Sequence, residues 1–150
     1  MMKWFRRGAA PAESATKPAP QVQALERVKR GVLVVDGDIA AAAAAVQVGD
    51  KTNEIVSTAY SIGKALGLAA RFHYKTILLA HEQIDGTGED LVRQLKDRGL
   101  IDLTRLYTMT RANPTVVAMK YIGLPVDDFL AKPLPPAQLA SLLALPRKTE

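Results

Sequence analysis

The residues able to do chemistry in this chain are few, and several stand at the end of an apolar run. Asp36 and Asp38 close GVLVVDGD, His81 follows KTILLA, and Lys132 closes DDFLAK before Pro133. Carboxylates gathered near one end of a sheet are the usual means of holding a divalent cation against phosphate. A histidine in such a place is a metal ligand or a phosphoryl carrier when it has a partner. His73 is the only other histidine, and the helical pattern around it sets it far from His81, so His81 reads as a loop or surface residue. There is no cysteine, which excludes disulfides, thiolate metal sites and thiol nucleophiles.

The elements that must carry these residues follow from the apolar pattern. GVLVV is a short apolar β-branched run and reads as a buried strand. Asp38 is placed to cap the following helix IAAAAAAVQV, whose alanines favour helix. NEIVSTA is a second strand and SIGKALGLAARFHY a second helix, with Ile62, Leu66, Ala69 and Ala70 at helical spacing. TILLA, EDLVRQLKDRG, RLYTMT, PTVVAMKYIG, FLAK and PPAQLASLLAL continue the alternation, with Pro114 opening and Gly123 closing the fourth helix. Asp85, Glu89 and Asp90 read as caps of the third helix, and Asp127 and Asp128 as a turn rather than an acid–base pair. Five strands alternating with five helices require right-handed crossovers and a mainly parallel sheet covered on both faces.

Size and charge narrow the class. The chain has 150 residues, 48% of them hydrophobic, which suits one domain with an aliphatic core. Residues 1–30 hold seven Lys and Arg against two acids, whereas residues 31–150 hold thirteen of each. The net charge of +5 therefore lies in the front fifth, and no nucleic-acid-binding face is expected on the body. Residues 1–28 read as a disordered basic Ala/Pro-rich tail with a short helical lead-in at 21–30, residues 29–146 as the domain, and 147–150 as a short end. KWFRR in the tail offers aromatic anchors and cations, suited to weak contact with an anionic membrane surface or a partner. No apolar run is long enough to span a membrane and no secretory signal is evident, so a cytoplasmic location is expected.

VVDGD, the fivefold β/α alternation and above all DDFLAKPL make residues 31–145 resemble a receiver domain, the CheY-like phosphoacceptor module of bacterial two-component response regulators. The resemblance implies a doubly wound (βα)5 fold with a five-stranded parallel sheet of order 2-1-3-4-5. It also implies a site of two adjacent acids, an aspartate that takes the phosphoryl group, a switch hydroxyl, a switch aromatic and a Lys-Pro pair, usually cis. Matched residue by residue, Asp36 is the first acid, with Gly37 in place of the second and Asp38 beyond it. Phe129 is the aromatic, and Lys132 and Pro133 match the pair. The switch hydroxyl is Thr110 by distance from Lys132, with Thr108 left open by the long GLPVDD turn.

The acceptor itself is missing. Gly88 as the opening glycine of the third helix puts Ala80 at the phosphoacceptor position; a slip of one residue puts His81 there. Neither is an aspartate, and reaching Glu82 needs a slip of two. Without a carboxylate nucleophile, and with two of three metal carboxylates gone, receiver chemistry is not expected and neither is a metal or other cofactor. Lys132 is then expected to pair with Asp36 as a lock between strand ends.

The function expected is a non-enzymatic pseudo-receiver acting as a protein–protein adaptor. Receivers signal through the face of helix four, strand five and helix five, which here would present Met119, Tyr121, Ile122, Phe129 and Leu134 to a kinase, regulator, scaffold or second copy. The alternatives are a small-ligand effector, such as a cyclic-dinucleotide binder using Arg105, Arg111 or the tail arginines, and an atypical receiver that is still phosphorylated.

Overall fold

The computed structural model describes residues 27–149, so the tail and membrane-contact expectations for residues 1–26 lie outside the described residues. The elements are β1 (Val28–Val35), α1 (Ile39–Thr52), β2 (Val56–Ala59), α2 (Ile62–Arg71), β3 (Phe72–Ala80), β4 (Glu82–Gln83), β5 (Gly86–Thr87), α3 (Gly88–Asp97), β6 (Arg105–Thr110), α4 (Pro114–Ala118), β7 (Asp128–Ala131) and α5 (Pro136–Leu143). A turn of 3-10 helix, Met119–Tyr121, extends α4. The main sheet is parallel throughout, in the order β2-β1-β3-β6-β7. Counting only its own five strands, that is the expected 2-1-3-4-5.

The carboxyl halves of the inner strands β1, β3 and β6 bury both faces, because helices cover both. Leu33, Val35, Ile77, Leu79 and Leu106 point to the side packed by α2, α3 and α4. Val32, Val34, Leu78 and Met109 point to the side packed by α1 and α5. Leu78 and Leu79 are both fully buried, each contributing roughly 1.5–3 kcal/mol of apolar burial.

Two sequence expectations fail together. Residues 28–30 were expected to lead in as helix and tail, and Phe72–Tyr74 to finish the second helix; both are strand. Val28 pairs with Phe72, Lys29 with His73 and Arg30 with Tyr74. Each segment is extended because the other is there to pair with it. His73 consequently lies on β3, not on a helix. The expected fourth helix also shortens: the α-helix ends at Ala118, a 3-10 turn carries the chain to Tyr121, and Gly123 takes φ +86 to turn it.

Hydrogen bonds reach residues just beyond both ends of 29–146. The Arg27 guanidinium donates to the carbonyls of Ala69, Phe72 and Leu100. Arg147 donates to the Arg30 and His73 carbonyls and to His73 Nδ1 at 2.7 Å. His73 Nε2 in turn donates to the Asp102 carbonyl at 2.7 Å, and burial holds the imidazole toward its neutral form. Among the described residues, no helix is long and apolar enough to cross a membrane.

Candidate functional site

The candidate residues converge at the carboxyl ends of β1, β3, β6 and β7, the edge where an open α/β sheet presents its ligands. β1 ends at Val35, so Asp36 leaves the sheet at its rim. Asp36 Oδ1 accepts the amide of Asp38 at 2.9 Å, and Oδ2 accepts from Lys132 Nζ at 2.6 Å. The pair is buried, with side-chain exposures of 7% for Lys132 and 3% for Asp36. Lys132 is placed by its own amide, which donates to the Thr110 carbonyl at 2.8 Å, and the Lys132–Pro133 bond is cis. Asp38 caps α1 as expected, Oδ1 accepting from Ala40 N and Ala41 N, while Oδ2 accepts from Arg111 at 2.5 Å. The Ala41 amide above all holds the Asp38 carboxyl below its ordinary range.

Ala80 ends β3 and is fully buried, in register with Met109 of β6. What stands above it was not read from the sequence. Residues 82–87 form a two-stranded antiparallel hairpin, Glu82 opposite Thr87 and Gln83 opposite Gly86. The Gln83 amide donates to the carbonyls of Ala80 at 2.6 Å and Val35 at 3.2 Å, laying the side chain across the ends of β3 and β1. Glu82 accepts from the Thr110 hydroxyl at 2.7 Å, and that hydroxyl accepts the Ala112 amide at 3.0 Å. Ile84 reaches over Gly37, where an added Cβ would stand 3.0 Å from its Cγ2. The Asp85–Gly86 pair was the available turn signal.

Asp85 corrects a further reading: it caps α2 rather than α3. Its two oxygens accept from Ile62 N at 2.9 Å and Gly63 N at 3.2 Å, and these bonds, Ile62 first, hold its carboxyl below the ordinary carboxylate value. Asp90 makes the capping box of α3 with Thr87, and Asp127 accepts the Leu106 amide at 2.8 Å. The Asp85 anchor is expected to be fully present above the unfolded aspartate pKa of about 3.9 and to be lost as pH falls through the depressed folded value. The amide resonances of Ile62 and Gly63, followed by NMR, should shift through that acid range. Asp85→Asn should abolish the titration, and an unchanged titration in that variant would contradict the assignment.

His81 is not a surface residue. It is 8% exposed, and its Nδ1 is hydrogen-bonded to the Tyr121 hydroxyl at 2.7 Å. Tyr121 is itself buried at 3% exposure and meets Phe129 edge-on at 5.2 Å between centroids. Burial, helped by Glu89, pushes the Tyr121 hydroxyl well above its ordinary value. Tyr121 is therefore a core residue and not part of a contact patch. Of the other face residues, Met119 and Ile122 are 67% and 83% exposed, Phe129 and Leu134 are half-buried, and exposed Val116 joins Met119 one turn away. Thr108 is buried inside β6, level with Phe129, whereas Thr110 stands at the strand end.

The residues present do not fit the magnesium ion that receiver chemistry uses. Both Asp36 oxygens are engaged, one by an ammonium group 2.6 Å away, and Gly37 and Ala80 bring no donor side chain. A cation here would face Lys132 and Arg111, with Asp36 and Asp38 each already paired to one of them.

No protein-family model matches the chain, and no curated protein matches it. Solved structures do. A two-component response regulator from Clostridium difficile is similar over 77% of this chain and 91% of its own, at 23% identity and a TM-score of 0.67. The chemotaxis response regulator CheY4 of Vibrio cholerae matches over 78% and 96%, at 20% identity and 0.69. The non-phosphorylated HemR receiver domain from Leptospira biflexa matches over 83% and 100%, at 17% identity and 0.66. At these identities the likeness is one of architecture, and the chain has the CheY-like receiver fold.

Proposed function

We propose that this chain is a receiver-fold interaction module of two-component signalling that takes no phosphoryl group and works, in the cytoplasm, by docking on other signalling proteins. The observation that carries the reading is the alanine at the acceptor position, with Gln83 of the hairpin tying its carbonyl to that of Val35 across the ends of β3 and β1. Glu82 adds to it by engaging Thr110, the hydroxyl that the receiver resemblance assigns to the switch. Together with the Asp36–Lys132 pair, these bonds join β1, β3, β6 and β7 and hold the domain in a single state. The docking face is α4, β7 and α5, where Val116, Met119 and Ile122 expose apolar surface beside the half-buried Phe129. A second copy is one candidate occupant of that face.

Two measurements test this. Intact mass after incubation with acetyl phosphate and magnesium should be unchanged; a gain of one phosphoryl group, removed by Glu82→Gln, would establish Glu82 as an acceptor and end the reading. Proteins captured on the immobilised chain should be lost in the exposed double variant Met119→Asp, Ile122→Asp. Their retention would move the docking face elsewhere.

A further inference from the structure

On the side of the sheet away from α2, the helices α1 and α5 pack on one another through Ala45, Leu139 and Leu143 but part toward the carboxyl edge of the strands. A cavity of about 330 Å3 remains between them, floored by Val34, Leu78 and Met109. Its cause lies in the sequence: α1 presents Ala41 and Ala44 to it, side chains that end at Cβ, and Leu139 of α5 cannot fill the space they leave. Protein interiors are normally packed to crystal density, so a gap of this size beside the core forfeits contacts that a bound molecule would restore. The volume falls in the range of small-molecule sites, and an apolar slot with a few polar groups at its mouth is their usual form.

The polar groups at the mouth decide what head group fits. They are two carboxylates, Asp36 and Asp38, and two cations, Lys132 and Arg111. Every carboxylate oxygen already accepts a hydrogen bond: from Lys132 and the Asp38 amide at Asp36, and from Arg111 and the first amides of α1 at Asp38. The cations are not used up in the same way. An ammonium carries three donors and a guanidinium five, whereas Lys132 Nζ donates to Asp36 and Arg111 Nη2 to Asp38. A carboxylate has about four lone-pair sites, of which Asp36 uses two and Asp38 three. The larger part of the rim's spare hydrogen-bonding capacity is therefore donor capacity, which suits an anionic head group better than a cationic one. The four rim charges balance, so a head group of one negative charge suits it better than a dianion, and the guanidinium fork matches a carboxylate.

We propose that this slot binds a small organic carboxylate with an apolar body, the body lying on Val34, Leu78 and Met109 and the head group meeting Arg111 and Lys132. The inference is independent of the docking role and concerns the opposite side of the sheet from the hairpin.

Calorimetric titration of the full chain with octanoate, 1-octanol and inorganic phosphate tests it. Octanoate should bind saturably, and octanol about tenfold or more weaker for want of the charge-assisted bonds. Ala44→Leu, an exposed helical position that accepts leucine, should fill the slot and remove octanoate binding without lowering the unfolding temperature. Arg111→Ala, at an exposed side chain, should weaken octanoate about tenfold and leave octanol unchanged. The proposal is overturned if octanoate fails to saturate up to millimolar concentration, if octanol or phosphate binds as tightly, or if Ala44→Leu binds octanoate like the parent chain.

Discussion

Lys132→Met should cost the domain about 3–5 kcal/mol, read as a lowered urea midpoint with the slope unchanged, because it leaves a charge stranded in the interior. Asp36 lies at the mouth of the α1/α5 slot but is almost wholly buried, and its only cationic hydrogen-bond partner among those described above is the Lys132 ammonium at 2.6 Å. Removing the ammonium while keeping the carboxylate exposes the full desolvation penalty. The attraction of the pair, taken as a pair, is worth far less, since bringing both ions out of water cancels most of it. The double variant Asp36→Asn, Lys132→Met should therefore recover most of the loss; asparagine keeps an oxygen for the Asp38 amide that Asp36 now accepts. A single variant within about 1 kcal/mol of the parent would mean that the pair is solvated in solution, as exposed ion pairs are. The cycle also isolates the strength of the link between β1 and β7, which are separated in the sheet by two strands, β3 and β6, and share no ladder of their own.

The second large effect is steric. Gly88 opens α3 beneath the His81–Tyr121 pair, and a methyl group added to it would press on the Tyr121 hydroxyl, on Leu79 Cδ1 at 2.7 Å and on His81 Cα at 3.0 Å. Two of these neighbours are core side chains and the third is backbone, so little can yield. Gly88→Ala should cost about 1–3 kcal/mol from overpacking. Displacing the tyrosine adds the loss of its 2.7 Å bond to His81, which leaves a buried hydroxyl without a partner. Gly67 is the matched control: it lies inside α2 with nothing within 4 Å of an added Cβ. Gly67→Ala should stabilise by about 0.5–1 kcal/mol through helix propensity. Thermal unfolding of the two variants should move in opposite directions; a neutral Gly88→Ala would show that the His81–Tyr121–Phe129 stack is loose.

Taken together, the two substitutions probe the opposite faces of one rim. Asp36 and Lys132 join the ends of β1 and β7 on the α1 and α5 side, and the aromatic stack joins β3 to α4 and β7 on the other. The hairpin sits between them, tied to α2 through Asp85, to β1 and β3 through Gln83 and to β6 through Glu82. Gln83 and Glu82 already engage the Ala80 carbonyl and the Thr110 hydroxyl at that rim, and Gly37 supplies no second acid. That is why restoring an aspartate at Ala80 is not by itself expected to restore a receiver site.

What the residues alone determined is what depends on neighbours in the chain. Alternating apolar runs and helical periods specify five strands and five helices. Asp38 before an alanine run specifies a cap, and Asp36 and Lys132 at strand ends specify side chains at one edge of a parallel sheet. Their pairing follows from that edge, and so does the absence of a carboxylate at position 80. Tertiary structure alone decided the rest, because the deciding partners are distant. Residues 28–30 and 72–74 are strand only because each pairs with the other. His81 is buried because Tyr121, forty residues on, meets its ring. Asp85 caps a helix that precedes it by more than twenty residues, and Glu82, past the end of β3, comes within 2.7 Å of Thr110 across a turn of hairpin. Local propensity carries no information about such meetings; the free energy that selects them is released only when the sheet is assembled.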